Sequence, residues 1–375
     1  MQDKEFDLLV FIGKMRPFHN GHRHVIETGL KRARHVAVFV GSANRPRSHG
    51  GLIFSAEESA AMVRAVYPVG TESGDRISVD LLDDWLHDND FHWTMDVQRK
   101  VQTEVERLRS IMCRDIRVGL IGYSKDSTSY YLRKFPQWGS IDAGPHRNGR
   151  HVLSATDLRR GLREASRANL FSHLTSDAWT ATVPVEIANW LVEWTKVPAN
   201  LQHLADAVEA EDFSTNYKAD HKFVGDNIHY EATHSTTDAV LIQSGHVLLV
   251  RRKFNPGKGL WALPGGFLKA SEPTREGVTR ELKEETKVKL GLGVLSLAFR
   301  FKQVFSDVNR GDARGRIITH AYLYLLNDRS ELPEVEAADD AEHAEWVPLG
   351  LLDPKTMYSD HFWIIQKMIN LIPVD

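Results

Sequence analysis

The 375-residue chain is poor in sulfur chemistry: its one cysteine, Cys113, lies in "SIMCRDIRV". A single thiol cannot close an intrachain disulfide, which suits a reducing compartment. Between apolar neighbours, Cys113 is expected to pack as a small buried hydrophobe. There is no basic surplus either. Lys and Arg number 47 against 50 Asp and Glu, a formal charge of -3, so no global field draws the chain to nucleic acid. No run approaches the roughly 18 apolar residues of a membrane span. The start "MQDKEFDLLVFIGK" has no basic stretch followed by a long apolar core, so no signal peptide is expected. With no repeat and no low-complexity tract, these lacks point to a cytoplasmic protein. The 42% hydrophobic and 26% charged residues are those of a globular chain long enough for two or three domains.

What is present divides into two halves. "DLLVFIG" (7–13) and "HVAVFVG" (35–41) read as buried strands around a helix from His22 to about Arg34. That is a βαβ unit and implies a parallel sheet covered on both faces. Strands at 77–82 and 116–122, with helices near 55–66 and 93–112, extend it into an α/β doubly wound, Rossmann-like fold. A basic helix follows from Leu158 to about Ala168, then a helix over 183–196 with proline in its first turn. The segment 197–234 is polar and lacks strand periodicity, so it reads as a linker between domains at 1–196 and 235–375. From Ser235 the strands return, with a hairpin at Ser244-Gly245, a helix over 274–288, strands at 293–305 and 316–326, and a closing helix. This half reads as α+β.

In "GFLKASEPTREGVTRELKEETKV" (266–288), Glu281, Glu284 and Glu285 fall at i, i+3 and i+4 on one helix face. Like charges so placed repel unless a cation neutralises them, and hard carboxylates suit magnesium. Arg280 beside them can hold a carboxylate in place. A solvated charged helix face is the plain alternative for such a cluster alone. The full spacing, Gly266, five residues, Glu272, seven residues, Arg280-Glu281-Leu282, one residue, Glu284-Glu285, resembles the signature of Nudix hydrolases, and "WALPGG" (261–266) resembles its lead-in. Lys287 stands where that family usually has glycine, a departure that bears on helix capping. The resemblance implies a mixed sheet sandwiched by helices and Mg²⁺ or Mn²⁺ held by Glu281, Glu285 and then Glu284, with a backbone carbonyl at Gly265 or Gly266 as a further ligand. It also implies catalytic roles for Glu281 and Glu285 in hydrolysing a nucleoside diphosphate linked to another moiety; it leaves the general base open. "QVFSDVNRGDARGRIITHAYLY" (303–324) resembles the ADP-ribose pyrophosphatases of that superfamily, which implies cleavage to AMP and ribose 5-phosphate. Arg251 and Arg252, ending "VLLVRR", are candidate phosphate contacts.

"GKMRPFHNGH" (13–22) places His19 and His22 where a strand turns into a helix. As zinc ligands they would need further partners, and no spacing nearby resembles a metal site. A helix N-terminus instead favours anions, Gly21 permits close approach, and imidazoles can donate to phosphates. The stretch resembles the (H/T)xGH motif of the nucleotidyltransferase superfamily. "LSATDLRRGL" (153–162) resembles that superfamily's second signature, with Ser154, Thr156 and Arg159 at its fixed positions and Leu153 and Leu158 in place of isoleucines. "GSANRPRSHGGLIFSAEES" (41–59) and "HDNDFHWTMDVQ" (87–98) are similar to segments of archaeal-type nicotinamide mononucleotide adenylyltransferases, although Glu58-Ser59 replaces Glu-Arg in the first. Such an enzyme would use His19, His22 and Arg159 on the phosphates, with Gly13, Arg16, Gly21, Ser154 and Thr156 lining the nucleotide site. Trp93 would stack on nicotinamide with Asn89 beside it; Lys125 and Asp126 are weaker candidates.

A Nudix domain behind such an adenylyltransferase is a known bacterial arrangement. The expected substrates are ATP, nicotinamide mononucleotide and ADP-ribose, with no nucleic acid and no membrane, and with a homo-oligomer left open. Two alternatives stand beside this reading. The first half could adenylylate another phosphorylated acceptor, such as phosphopantetheine, and the second could sense ADP-ribose without cleaving it. The NxxxW segment speaks against the first, and the complete set of box glutamates against the second.

Overall fold

The computed structural model describes residues 4–47, 52–86, 90–124, 131–148, 151–166, 168–220, 233–307, 311–312 and 314–373. These fall into two compact units, one formed by the described residues of 1–47, 52–84 and 90–207, the other by those of 85–89 and 208–375.

The first unit runs β1 (Phe6–Gly13), α1 (Asn20–Arg32), β2 (Ala33–Val40), α2 (Ala56–Val66), β3 (Ile77–Leu81), α3 (Phe91–Met112), β4 (Val118–Gly122), α4 (Tyr131–Lys134) and β5 (Gly139–Asp142). A short β6 (Arg147–Asn148) and β7 (His151–Val152) pair precedes α5 (Ala155–Ser166), α6 (Leu170–Leu174), α7 (Asp177–Thr180) and α8 (Val185–Trp194); α9 (Pro198–Asp220) has its residues 198–207 in this unit and the rest in the other. The five long strands form one parallel sheet in the order β3-β2-β1-β4-β5. Alternation along β1 sends Leu9 and Phe11 into the core with α1, α2 and α8, and Leu8 and Val10 into the core with α3. In α3 the buried residues are Val97, Val101, Val105 and Leu108, a stripe at helical spacing. Each such side chain contributes roughly 1.5–3 kcal/mol by leaving water. Strand order reverses between β1 and β4, and in open α/β sheets the crevice beyond the carboxyl ends at that point receives ligands. At that edge β1 ends at Gly13 and β4 at Gly122.

The second unit runs β8 (Thr233–Gln243), β9 (His246–Arg252), β10 (Trp261–Ala262), β11 (Gly265–Phe267), α10 (Thr274–Thr286), α11 (Leu292–Ala298), β12 (Phe299–Phe305), β13 (Gly311–Asp312), β14 (Gly315–Leu325), β15 (Ala341–Pro348) and α12 (His361–Asn370). Its sheet is mixed: β14 pairs with β8 in parallel, and the other pairings are antiparallel. Ala239 and Leu241 of β8 pack with Val278 and Leu282 of α10, while Val240 and Ile242 pack with Ile364 and Ile365 of α12. The β8–β9 turn has Ser244 at φ 47° and Gly245 at φ 73°, the paired left-handed residues of a two-residue hairpin.

Four expectations need correction, and one segment gains secondary structure. Cys113 is exposed, because it caps α3 in a left-handed conformation (φ 51°) one residue past the end of the helix. Residues 293–298, expected as strand, are helical in α11, where Leu295 and Ala298 face the core three apart; a short apolar run fits either period. Pro184 is the N-cap of α8 and not part of its first turn. Residues 33–34 belong to β2, not to the preceding helix. Residues 198–220 of the segment read as interdomain form α9.

Lys287 caps α10 at φ 47°, where glycine carries no steric cost. Lys287→Gly is therefore expected to stabilise the second unit by about 1 kcal/mol, read as a raised Tm. An unchanged or lower Tm would mean the lysine side chain compensates for its backbone.

Candidate functional site

Two constellations emerge, one in each unit. In the first, β1 ends at Gly13, whose carbonyl accepts from Gly41 N at 3.0 Å and so aligns the ends of β1 and β2. His19 is the N-cap of α1. Its Nδ1 accepts from Gly21 N at 3.0 Å, and its own N–H donates to His22 Nδ1 at 3.3 Å. This is a capping box built from two imidazoles in place of Ser and Glu. Since both Nδ1 atoms accept, each ring, when neutral, carries its proton on Nε2. The rings lie 3.9 Å apart, tilted by 31°. Gly21 is required by this packing, because a Cβ there would lie 2.7 Å from the His19 ring. The helix start is fixed in turn by Asn20 N donating to Thr182 O at 3.0 Å.

Arg16 is 1% exposed. Its Nη2 donates to Gly41 O and Ser42 O at 3.0 and 2.9 Å. Its Nε and Nη1 are buried and have no hydrogen-bond partner among the described residues. Burial pushes the guanidinium down to about 10, with Asp84, Glu57 and Glu58 opposing and Arg159 reinforcing. Arg159 of α5 donates through Nη1 to Arg16 O at 2.6 Å and through Nη2 to Thr156 Oγ1 at 3.2 Å. Ser154 Oγ accepts from Thr156 N at 3.2 Å. The two sequence motifs thus meet through Arg159. Lys14 is pushed below its ordinary value by burial, with Arg16, Arg45 and Arg159 acting the same way and Asp84 against them. Arg45 Nε bonds Asp84 Oδ2 at 3.1 Å, and Asn44 and Asp84 exchange reciprocal bonds that tie the β2 and β3 loops. Lys14, Arg16, Arg45 and Arg159 lie close enough to depress one another, with Asp84, Glu57 and Glu58 opposing, and such a cluster of cations suits a polyanion. Sequence reasoning did not single out Lys14, Arg45 or Asp84; their place in the loops ending β1, β2 and β3 was the available signal. Trp93 is partly buried and packs on Phe135 with centroids 6.0 Å apart. Asn89, Lys125 and Asp126 lie outside the described residues.

In the second unit the carboxylates surround a cavity of about 920 Å³. Arg280 donates to both oxygens of Glu272 at 2.9 and 2.5 Å, to Glu281 at 2.7 Å and to Glu284 at 2.8 Å. That grip holds the Glu272 carboxyl down near 2. Glu285 is 8% exposed and accepts from Gly265 N at 2.9 Å. Burial pushes it up to about 8, against that hydrogen bond, and neighbouring Glu281 and Asp238 add to the rise. Burial also raises Glu281. The glycine pair is dictated by contact: a Cβ on Gly265 would lie 2.2 Å from Thr237 O, and one on Gly266 would lie 2.8 Å from the Glu281 carboxylate.

With these partners, the described His, Cys, Asp and Glu side chains do not converge in threes as a ready ligand set. Their chemistry nonetheless fits a hard divalent cation: a buried and a partly buried carboxylate, Glu285 and Glu281, held above their ordinary range beside the Gly266 backbone, are what a cation would restore to the charged form. Of the two arginines ending β9, Arg252 lines the cavity. Arg251 is exposed and turns to Gly259 O, 2.9 Å away, and to the Trp261 ring. Strand alternation separates them. Arg314, from the 303–324 stretch that resembles ADP-ribose pyrophosphatases, and Tyr358 also line the cavity; Tyr358 was not singled out from the sequence. Among the described residues no helix is long and apolar enough to cross a membrane.

Known proteins resemble the chain in the same two parts. Residues 10–133 match the cytidylyltransferase-like family and residues 232–368 the NUDIX domain. A nicotinamide/nicotinic acid mononucleotide adenylyltransferase of Acinetobacter baylyi is 35% identical over 161 residues, 43% of this chain and 77% of that protein. An ADP-ribose pyrophosphatase of Methanocaldococcus jannaschii is 38% identical over 137 residues, 36% of this chain and 71% of that protein. A crystal structure of a bifunctional NMN adenylyltransferase/ADP ribose pyrophosphatase from Francisella tularensis superposes with a TM-score of 0.81 at 29% identity, covering 98% of this chain and 99% of that one. A second structure from that organism is complexed with AMP and a Mn ion.

Proposed function

The chain belongs to both the nicotinamide mononucleotide adenylyltransferase and the Nudix ADP-ribose pyrophosphatase families, and on that premise we propose that it makes NAD with one unit and cleaves ADP-ribose with the other. Residues 1–196 carry the transfer and residues 235–375 the hydrolysis, with 197–234 between them.

The observation that carries the first activity is the convergence of Lys14, Arg16, Arg45 and Arg159 on the loop that begins α1. ATP enters with its Mg²⁺ as substrate. The 5′-phosphate of nicotinamide mononucleotide attacks the α-phosphate in line, the bond to the β-phosphate breaks, and pyrophosphate leaves. The substrate supplies the nucleophile, so the protein aligns and stabilises charge. His19 and His22 donate from Nε2 to the triphosphate, and the clustered cations hold the departing pyrophosphate. Ser154 and Thr156 set Arg159 in place, and Trp93 stacks on the nicotinamide ring with Asn89 beside it.

In the second unit Glu281, Glu285 and the Gly266 carbonyl, with Glu284 next, would hold Mg²⁺ or Mn²⁺. Such a cation supplies Lewis acidity toward the pyrophosphate of ADP-ribose. Arg280 orients Glu281 and Glu284, and Gly265 N orients Glu285. The products are AMP and ribose 5-phosphate. The substrates are small nucleotides.

One assay tests both activities. Purified protein with Mg²⁺, ATP and nicotinamide mononucleotide is expected to yield NAD and pyrophosphate, and with ADP-ribose to yield AMP. Adenylylation of another acceptor with no NAD would refute the first assignment; intact ADP-ribose would refute the second.

A further inference from the structure

In the cavity of the second unit, one side chain touches two guanidiniums. Arg252 lies over the Tyr358 ring, 4.3 Å from its centroid, with its Nε donating to Pro256 O at 2.8 Å. Arg314 donates through Nη2 to the Tyr358 hydroxyl at 3.2 Å and lies 5.0 Å from the Phe267 ring. Arg252 ends β9 and Arg314 precedes β14, so they reach the cavity from separate parts of the sheet. Two like charges drawn to one wall repel, and something must hold them. The electron-rich ring face attracts the first, and the hydroxyl oxygen accepts from the second.

Tyr358 is itself immobilised. It is 8% exposed, its N–H donates to Trp261 O at 2.7 Å, and its carbonyl accepts from His361 N at 3.1 Å. The ring is pressed against Gly257, where an added Cβ would lie 2.2 Å from Cδ2. The same cavity carries Glu281, Glu284 and Glu285, which repel an anionic substrate. A diphosphate is therefore held better where another part of the wall is cationic, beside any divalent cation on the glutamates, and guanidiniums match phosphate oxygens in geometry as well as charge.

We infer that Tyr358 is a positioning residue of the hydrolytic site, fixing Arg252 and Arg314 as a two-arginine clamp for the anionic part of a nucleoside-diphosphate-linked substrate. This rests on the proposed hydrolysis of ADP-ribose in the same cavity. Tyr358→Phe keeps the ring and removes the acceptor for Arg314. Its expected effect is a rise of about tenfold in KM for ADP-ribose, the scale of one charged hydrogen bond, with kcat little changed. Tyr358→Leu removes both contacts and is expected to raise KM further. On an Arg314→Gln background, Tyr358→Phe should add nothing, since the contact is already gone.

AMP binding by calorimetry gives a readout free of turnover and should weaken in the same order. Tm measured alongside reports any purely structural loss, which would lower Tm and leave KM and Kd in place. The inference is overturned if wild type binds AMP and Tyr358→Phe binds it equally well, or if kcat falls at constant KM. Wild type that neither binds AMP nor cleaves ADP-ribose would instead remove the reading on which the inference rests.

Discussion

Glu285→Gln is expected to lower ADP-ribose hydrolysis by a factor on the order of 10²–10³, the scale of losing one electrostatic group in a water-poor site. NAD synthesis by the same preparation should be unchanged, because no residue of the first constellation lies in the unit that holds Glu285. The substitution keeps shape and an oxygen to accept from Gly265 N; only the charge is lost. A second measurement, independent of activity, follows from the raised carboxyl. Burial lifts Glu285 from 4.5 to about 8. The folded state therefore holds the proton more tightly than the unfolded chain does. Its contribution to stability is complete below about pH 4.5 and is lost as pH rises through about 8. With divalent cations chelated, the second unit should lose Tm across that window. Glu285→Gln should flatten the loss, and Mg²⁺ or Mn²⁺ should restore wild-type Tm at the alkaline end. Hydrolysis that survives the substitution, or a chelated Tm indifferent to pH, would remove Glu285 from the cation site.

His22→Ala is expected to reduce kcat for NAD formation by a factor on the order of 10²–10³, leaving ADP-ribose hydrolysis intact. Two losses are combined in that number. The Nε2 donor disappears, and His19 N–H loses its acceptor at the start of α1, a cap worth about 1 kcal/mol. His22→Gln separates them. Glutamine at the third helical position can accept from the N-cap N–H, but it does not restore the imidazole. If the ring does the chemistry, His22→Gln recovers Tm and not kcat. Recovery of both would reduce His22 to a capping residue.

Much of this was legible in the sequence, for identifiable reasons. The parallel sheet was readable because buried strands such as "HVAVFVG" are apolar on both faces and glycine marks their ends. The carboxylate helix was readable because its period coincides with a fixed spacing of charges. What escaped depends on burial or on contacts distant in sequence. Lys14 and Arg45 look like ordinary loop cations until the fold brings them together beside Asp84. Arg251 and Arg252 are indistinguishable in a string, and only strand pairing decides which enters the cavity. Tyr358 gains its importance from Gly257 and from two arginines over forty residues away on either side of the carboxylate helix. Cys113 was misread because a left-handed cap turns the residue after an amphipathic helix away from its buried face.

The imidazole cap of α1 has a kinetic side. Gly21 N–H is bonded to the very nitrogen whose acceptor state keeps the His19 proton on Nε2. Fraying of the first helical turn and loss of a correctly protonated ring are thus a single opening event, not two. The population of competent enzyme is set by the local opening equilibrium of one helix turn, and the Gly21 amide, which exchanges with solvent only in the open form, counts that population directly.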